Sequence, residues 1–554
     1  MSEFIQFGNL FDAARDRKAV VAFRGGVPID LGSFERQVRA WYAAFVTAPG
    51  RRYVLHSADA LEFAAALLGA WHARKCVLVP SDAQVYSVSQ SGVCIDGFAG
   101  TPDGLACAPP TTEGLPPLDP DVVLLEMFTS GSTGHPVAIP KCLRQLEQEA
   151  AALAAAFDLG PPSRRVLGTV SHQHMYGIMF RVLLPMTTGR PFESTRLEQV
   201  QDLACASASE SCVLVSSPAQ LARLSKMDSF IGHVAAVLSA GGPLADDSVQ
   251  DCARIFRVDV TEIYGSSETG AVAWRVRTPG RTPPWHPFRG VEFRSEDGVL
   301  GIRTQQLPTN DWFCSADRIV QTAGGFELVG RVDRIVKLEE RRVSLDAVER
   351  LLLATGLLYE ARALVLDGPR RILAIAARPN AAGWALAEIS KRSLVDELRA
   401  ALRRAAEIGV QPRSWRFTDP WPITADGKTP EAVLRERFDR AAPEFRLLQQ
   451  DGDACVADLW VSPTAPCFQG HFPGHPVLPG VVQIDWLVRL SRELLNVKAD
   501  FEGLEAAKFR RVIQPNAWVR VVLRHDDTTS RTSYRISRGE EPCASGRIRW
   551  SAGA

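Results

Sequence analysis

Residues 128–136 read FTSGSTGHP. The run VVLLEM before them is an apolar strand, and CLRQLEQEAAALAAAF after them has the spacing of a helix. Between the two, small hydroxyl residues and glycines leave backbone N–H groups free to surround phosphate oxygens, and the hydroxyls add donors of their own. The run is not G-x-x-x-x-G-K-[ST], which excludes the usual nucleoside-triphosphatase loop. Strand, anion-binding turn and helix in this order predict an α/β domain with ligands at the carboxyl ends of its strands.

The flanks agree. RYVLHSADALEFAAALLGAWHARKCVLVP (52–80) alternates strand, helix and strand. RVLGTV, CVLVSS and AAVLSAGG are further short apolar runs that stop at Ser, Thr or Gly, as strands buried on both faces of a parallel sheet do. The texture changes after Arg331-Val332-Asp333. There VSLDAVERLLL and SKRSLVDELRAALRRAAE read as amphipathic helices between the strands EARALVLD and RRILAIAARP, a small α+β unit. RAAPEFRLLQQDGD (440–453) reads as a linker. From Ala454 the strands WVRVVLRHD, TSYRISRG and SGRIRWS accompany one helix, GVVQIDWLVRLSRELL, with Val481, Ile484, Leu487, Val488, Leu490 and Leu494 expected on its buried side. The expected boundaries are 1–332, 333–440, a linker at 441–453, and 454–554. A fragment of residues 1–445 is then expected to fold and work alone.

The chain of 554 residues is 46% hydrophobic and 23% charged, with Lys plus Arg and Asp plus Glu both at 63. That balance gives no electrostatic footprint for nucleic acid. The N-terminus has no apolar core of a signal peptide, and no run approaches a membrane span, so no integral membrane segment is expected. Eleven cysteines without a C-x-x-C pair suit a reducing compartment, and the cytoplasm is the expected location.

YGSSETG (264–270), SAGGPL (239–244), WFCSADRI (312–319), GRVDRIVKLEERRVSL (330–345) and ITADGK (423–428) accompany the phosphate turn. This set resembles the adenylate-forming superfamily of acyl-CoA synthetases, peptide-synthetase adenylation domains and luciferase, over about residues 1–440. The resemblance implies ATP and Mg²⁺. Thr129, Ser130, Gly131, Ser132, Thr133 and Gly134 would hold the β- and γ-phosphates. Tyr264 would stack near adenine, with Gly265 and Ser266 beside it in the same motif. Ser267 would bond the α-phosphate and Glu268 would hold the metal. Gly241 and Gly242 would line the adenine and acyl pocket, Asp317 and Arg331 would contact ribose, and Asp333 would be the hinge. Lys428 would contact the carboxylate and α-phosphate as the acyl-adenylate forms. SHQHMYGIMFRVLLP (171–185) matches the family's gating segment, with His174 and Gly177 in its pattern, while Met175, Tyr176, Met179 and Phe180 read as core. Two positions depart from the family. Val137 stands where most relatives carry Lys, with Lys141 four residues later, and Glu340 replaces a Gly in KLEERR.

GHFPGHPVLPGVVQID (470–485) and AAKFRRVIQPNAWVRV (506–521) resemble the β-hydroxyacyl-carrier dehydratases, an α+β hotdog fold. His471 falls on the family's catalytic His and Asp485 on its catalytic acid. Removing water from a 3-hydroxyacyl thioester needs a base for the C2 proton and an acid for the departing hydroxyl. Hotdog units pair to complete their tunnels, so the resemblance implies a homodimer or a larger even assembly. Together the two resemblances imply an acyl ligase fused to a dehydratase, as in clusters that make aryl polyenes. The substrate would be an aryl or fatty acid. The acceptor thiol would be coenzyme A or the phosphopantetheine of an acyl carrier protein, with the basic KFRR at 508–511 favouring the carrier. Two other readings stand beside this one: a scaffold whose ligase half no longer turns over, which Val137 and Glu340 favour, and a hotdog thioesterase.

Overall fold

Apolar side chains occupy nearly every position of the helix Ala60–His72, and all but Glu62 are buried. A helix apolar all round belongs inside a domain rather than on its surface. Asp59 caps it by accepting the Glu62 N–H at 2.9 Å. The strands Arg52–Leu55 and Cys76–Val79 on either side of it pair in parallel, as the βαβ pattern requires. In this computed structural model, residues 4–551 are described except 81–93, 102, 130–136, 198, 209, 227–231, 339–340, 369, 405–409, 424–428, 430 and 470–473. The chain divides into two compact units, Met1–Val329 with Ile423–Lys428 and Gly330–Pro422 with Thr429–Ala554.

The first unit holds two large sheets. One has Gly97–Ala99, Arg52–Leu55, Cys76–Val79 and Val123–Thr129 in parallel, closed by Val137–Cys142 antiparallel to Val123–Thr129. That closing strand is absent from the sequence reading, which ran from the phosphate turn straight into the helix Leu143–Ala156. Pro140 and Lys141 sit in it, and both residue types are poor strand formers. The second sheet places Val260–Ser266, Val234–Ser239, Cys212–Ser216 and Arg165–Gly168 side by side in parallel. Their carboxyl ends therefore face one direction.

In the second unit, Leu358–Leu366, Ile372–Pro379 and Ser414–Phe417 form a sheet, with the helices Leu345–Leu353, Ala381–Ile389 and Lys391–Arg404 beside it in the chain. A six-stranded sheet then accompanies the helix Gly480–Leu494, in the order Glu444–Asp451, Ala454–Val461, Ala517–Asp526, Arg531–Arg538, Glu541–Trp550 and Phe501–Phe509. Ile484, Leu487, Leu490 and Leu494 are buried as expected, but Val481 is 76% exposed. Val488 is only partly buried, and Trp486 takes its place in the core.

The expected linker is not a linker. Glu444–Asp451 is the first strand of the six-stranded sheet, paired with Ala454–Val461 through a tight turn at Gly452, φ +52°. Its polar Gln449-Gln450-Asp451 run looks like loop in sequence because the outer half of an edge strand faces water. Glu444 also ties the three-stranded and six-stranded sheets together, accepting from Lys391 Nζ at 2.6 Å, Arg416 Nη1 at 3.1 Å and the Phe417 N–H at 3.2 Å. Trp518 packs against Trp384 with ring centroids 6.1 Å apart, and its Nε1–H donates to the Ala387 carbonyl at 3.2 Å. A chain cut after residue 445 ends inside this strand.

Candidate active sites

Four parallel strands of the first unit end in Gly168-Thr169, Ser216-Ser217, Ala240-Gly241 and Gly265-Ser266, the polar rim where α/β sheets bind ligands. Gly241 has φ +94°, a conformation that disfavours any side chain, and among the described residues no atom lies within 4 Å of where a Cβ would stand on Gly241 or Gly242. This is backbone open to an incoming group. The Tyr264 hydroxyl donates to Asp317 Oδ2, bringing together two residues assigned separately to base and ribose. The Tyr264 ring is held by Trp285 at 5.6 Å and by the edge of Phe326 at 5.9 Å.

Glu262, which the sequence reading missed, holds the Gly241-Gly242 segment in place. Its Oε1 accepts from the Leu244 N–H at 3.3 Å, and its Oε2 accepts from Arg275 Nε at 2.6 Å and Arg277 Nη1 at 3.2 Å. The signal was a carboxylate inside the strand run VTEIYG, where an acid needs a cation to be buried.

Ser267, Glu268 and Thr269 form the turn between Val260–Ser266 and Gly270–Arg277. Ser266 and Thr269 brace it reciprocally, each hydroxyl accepting the other's N–H at 3.2 Å. A Cβ on Gly265 would stand 2.2 Å from the Gly270 carbonyl, so that glycine is set by backbone crossing backbone. Glu268 is partly exposed, and among the described residues its carboxylate takes no hydrogen bond. A single carboxylate suits Mg²⁺, which keeps most of its shell from phosphate oxygens and water.

In the gating segment, His174 has extended backbone just before the helix Met175–Ile178. A Cβ on Gly177 would fall 1.8 Å from the Ser171 carbonyl, so Gly177 is required by packing. Met175, Met179 and Phe180 are buried as expected, and the Tyr176 hydroxyl donates to the Leu238 carbonyl at 2.9 Å. Ser130, Gly131, Ser132, Thr133, Gly134, Glu340, Lys428 and His471 lie outside the described residues. Thr129 ends its strand opposite Val137. Arg331 belongs to the second unit, where its N–H donates to Asp346 Oδ2 at 2.9 Å.

Residues 47–294 match the AMP-binding enzyme family, and residues 448–547 match the ApeI-like family, described as ApeI dehydratase. A 4-coumarate–CoA ligase of Rhodobacter capsulatus is 31% identical over 54% of this chain and 73% of its own length. The 3-hydroxyacyl-[acyl-carrier-protein] dehydratase FabZ of Haemophilus influenzae is 34% identical over 23% of this chain and 94% of its own. The chain belongs to the AMP-binding enzymes and, at its C-terminus, to the FabZ-like dehydratases. ATP-bound MatB from Rhodopseudomonas palustris shares the ligase fold, with a TM-score of 0.64 at 15% identity over 78% of this chain and 98% of that one. The protein is thus a ligase domain that uses ATP joined to a dehydratase domain.

The dehydratase helix Gly480–Leu494 carries Asp485 in its second turn. Asp485 is on the outer face, half exposed, with Oδ2 3.0 Å from Arg489 Nε. Phe509 lies against the start of this helix, where a Cβ on Gly480 would stand 2.9 Å from its ring. Both Phe509 and Val481 are exposed. Asp485 therefore lies on a partly apolar surface rather than within the protomer's own core. Among the described residues, no helix is long and apolar enough to cross a membrane.

Proposed function

We propose that the ligase domain activates an aryl carboxylic acid as its acyl-adenylate and passes the acyl group to the phosphopantetheine thiol of an acyl carrier protein. The dehydratase domain then removes water from a 3-hydroxyacyl thioester on such a carrier. The observation that carries the first half is the Tyr264–Asp317 hydrogen bond beside the open Gly241-Gly242 backbone at the strand ends. It prepares one wall for a nucleoside, with an aromatic face and a carboxylate for ribose hydroxyls. Glu268 would hold Mg²⁺, which neutralises phosphate charge when bound. Lys428 would place an ammonium between carboxylate and α-phosphate, where negative charge develops. The aryl preference is supported by relatives that act on 4-coumarate and on 3- and 4-hydroxybenzoate.

In the dehydratase, His471 would take the C2 proton and Asp485 would give a proton to the leaving hydroxyl. The exposed position of Asp485 and its apolar neighbours Val481 and Phe509 support a homodimer in which a second copy covers this surface. Such a pair of activities suits the synthesis of conjugated aryl chains, with the ligase supplying the starter and the dehydratase the double bonds, in a cytoplasmic setting.

ATP–pyrophosphate exchange across a panel of aryl and fatty acids tests the ligase, and exchange above background with an aryl acid is the expected result. Exchange with fatty acids alone would refute the aryl reading, and none with any acid would refute adenylation. For the dehydratase, a 3-hydroxyacyl carrier thioester should give the enoyl product. Release of free acid instead would make the domain a thioesterase.

A further inference from the structure

Behind the Glu268 turn lies a buried polar cluster. Lys141 is 1% exposed, and its Nζ donates to the Glu268 carbonyl at 2.6 Å and the Gln306 carbonyl at 3.2 Å. Gln145 Nε2 donates to the same Gln306 carbonyl at 3.0 Å. Glu149, 3% exposed, accepts the Ala271 N–H at 2.9 Å. With its amide nitrogen turned toward the turn, Gln306 donates to the Thr269 carbonyl at 2.7 Å and the Ala271 carbonyl at 3.2 Å. Side chains thus grip the main chain of residues 268, 269 and 271. Gly270, at φ +65°, fits between them only because it has no Cβ, which would stand 2.5 Å from both Glu149 Oε2 and the Gln306 side-chain amide.

Burying an ammonium and a carboxylate costs several kcal/mol per ion, and apolar residues of similar volume often stabilise a fold as well. Burial pulls the Lys141 ammonium below its usual pKa, with Glu149 opposing. Burial also pushes the Glu149 carboxyl up, with Lys141 opposing. General stability therefore does not account for the cluster. What it does is fix one turn, and the only carboxylate on that turn is Glu268.

We propose that Lys141 is a positioning residue for the metal-binding carboxylate, its ammonium holding the Glu268 main chain so that the side chain stands ready for the Mg²⁺ of the nucleotide complex. This rests on the reading of Glu268 as the Mg²⁺ ligand. Val137 stands where most relatives carry a Lys, and the ammonium of Lys141, on the same strand Val137–Cys142, holds the Glu268 main chain.

The test uses the full chain and its variants Lys141→Met, Lys141→Arg, Gln306→Leu and Glu268→Gln. Amide hydrogen exchange of residues 266–271 is measured without nucleotide, and ATP binding is measured by calorimetry as Mg²⁺ is varied. Lys141→Met should speed exchange in this turn while leaving the dehydratase strands unchanged. It should raise the half-saturating Mg²⁺ about tenfold, the usual scale for losing a group that orients a metal ligand. Lys141→Arg should recover part of that loss. Gln306→Leu, which loosens the turn from the opposite side, stands in if Lys141→Met does not fold. Unchanged exchange, or faster exchange with an unchanged Mg²⁺ requirement, would overturn the proposal. If Glu268→Gln itself leaves the Mg²⁺ requirement unchanged, the metal-ligand reading has failed and takes the proposal with it.

Discussion

His172, two residues before the expected gating histidine, is deeply buried against Phe63 and donates from Nε2 to the Ser57 carbonyl at 2.9 Å. Its Nδ1 has no partner among the described residues. Burial pulls its pKa down from 6.5 to about 3. The unfolded chain therefore takes up a proton that the folded chain refuses. Stability from this group is complete above about pH 6.5 and is lost as the pH falls toward 3. At pH 4.5 the loss should be roughly 2–3 kcal/mol, and His172→Gln should narrow the gap between the urea-derived unfolding free energies at pH 7 and pH 4.5 by that amount. Equal gaps in both proteins would mean that this ring does not govern acid sensitivity. At the site itself, Lys428→Ala should cost on the order of 3 kcal/mol in pyrophosphate exchange while ATP still binds. Exchange at the wild-type rate would make Lys428 an ordinary turn residue.

Elements were legible where their period was clean and illegible where tertiary contacts overrode it. The buried helix Ala60–His72 and the parallel strands around it follow from unbroken apolar runs. The strand Val137–Cys142 does not, because Lys141 and Pro140 look like loop until the carbonyls that take up the ammonium are known. Of the candidate site, Tyr264, Asp317 and Gly241 were readable as motif members. Their supports Glu262 and Glu149 were not, since their partners lie far along the chain. The strand Glu444–Asp451 was misread for the same reason, and its buried Glu444 gives a test. Glu444→Ala strips the carboxylate from Lys391 and Arg416 and should cost about 3–5 kcal/mol in the unfolding of residues 330–554. A loss under 1 kcal/mol would show that the three-stranded and six-stranded sheets do not depend on it. In the dehydratase domain, His471→Ala and Asp485→Asn should each abolish dehydration while leaving adenylation intact. The double variant should be scarcely worse than either, because base and acid serve one step. Normal turnover in either single variant would remove that residue from the chemistry.

At the scale of the whole molecule, the two compact units divide at Gly330, and Glu444–Asp451 is a strand inside the second of them. A fragment of residues 330–554 should be soluble and cooperatively folded, while one of residues 1–445 should aggregate, having kept Trp384 and lost Trp518. Light scattering and circular dichroism of the two fragments would decide this, and a well-behaved 1–445 fragment would restore the older boundary. The contact among Trp384, Trp518 and Trp460, closed by Arg446 stacked 4.9 Å from the Trp384 ring, also bears on how such enzymes can be recombined. A chimera joined after the ligase's last helix would graft a foreign dehydratase onto a face shaped for another tryptophan. One joined before Gly330 would inherit both halves of the aromatic seam, at the cost of importing the donor's second ligase subdomain. In this chain, exchanging the downstream activity means exchanging part of the upstream one as well.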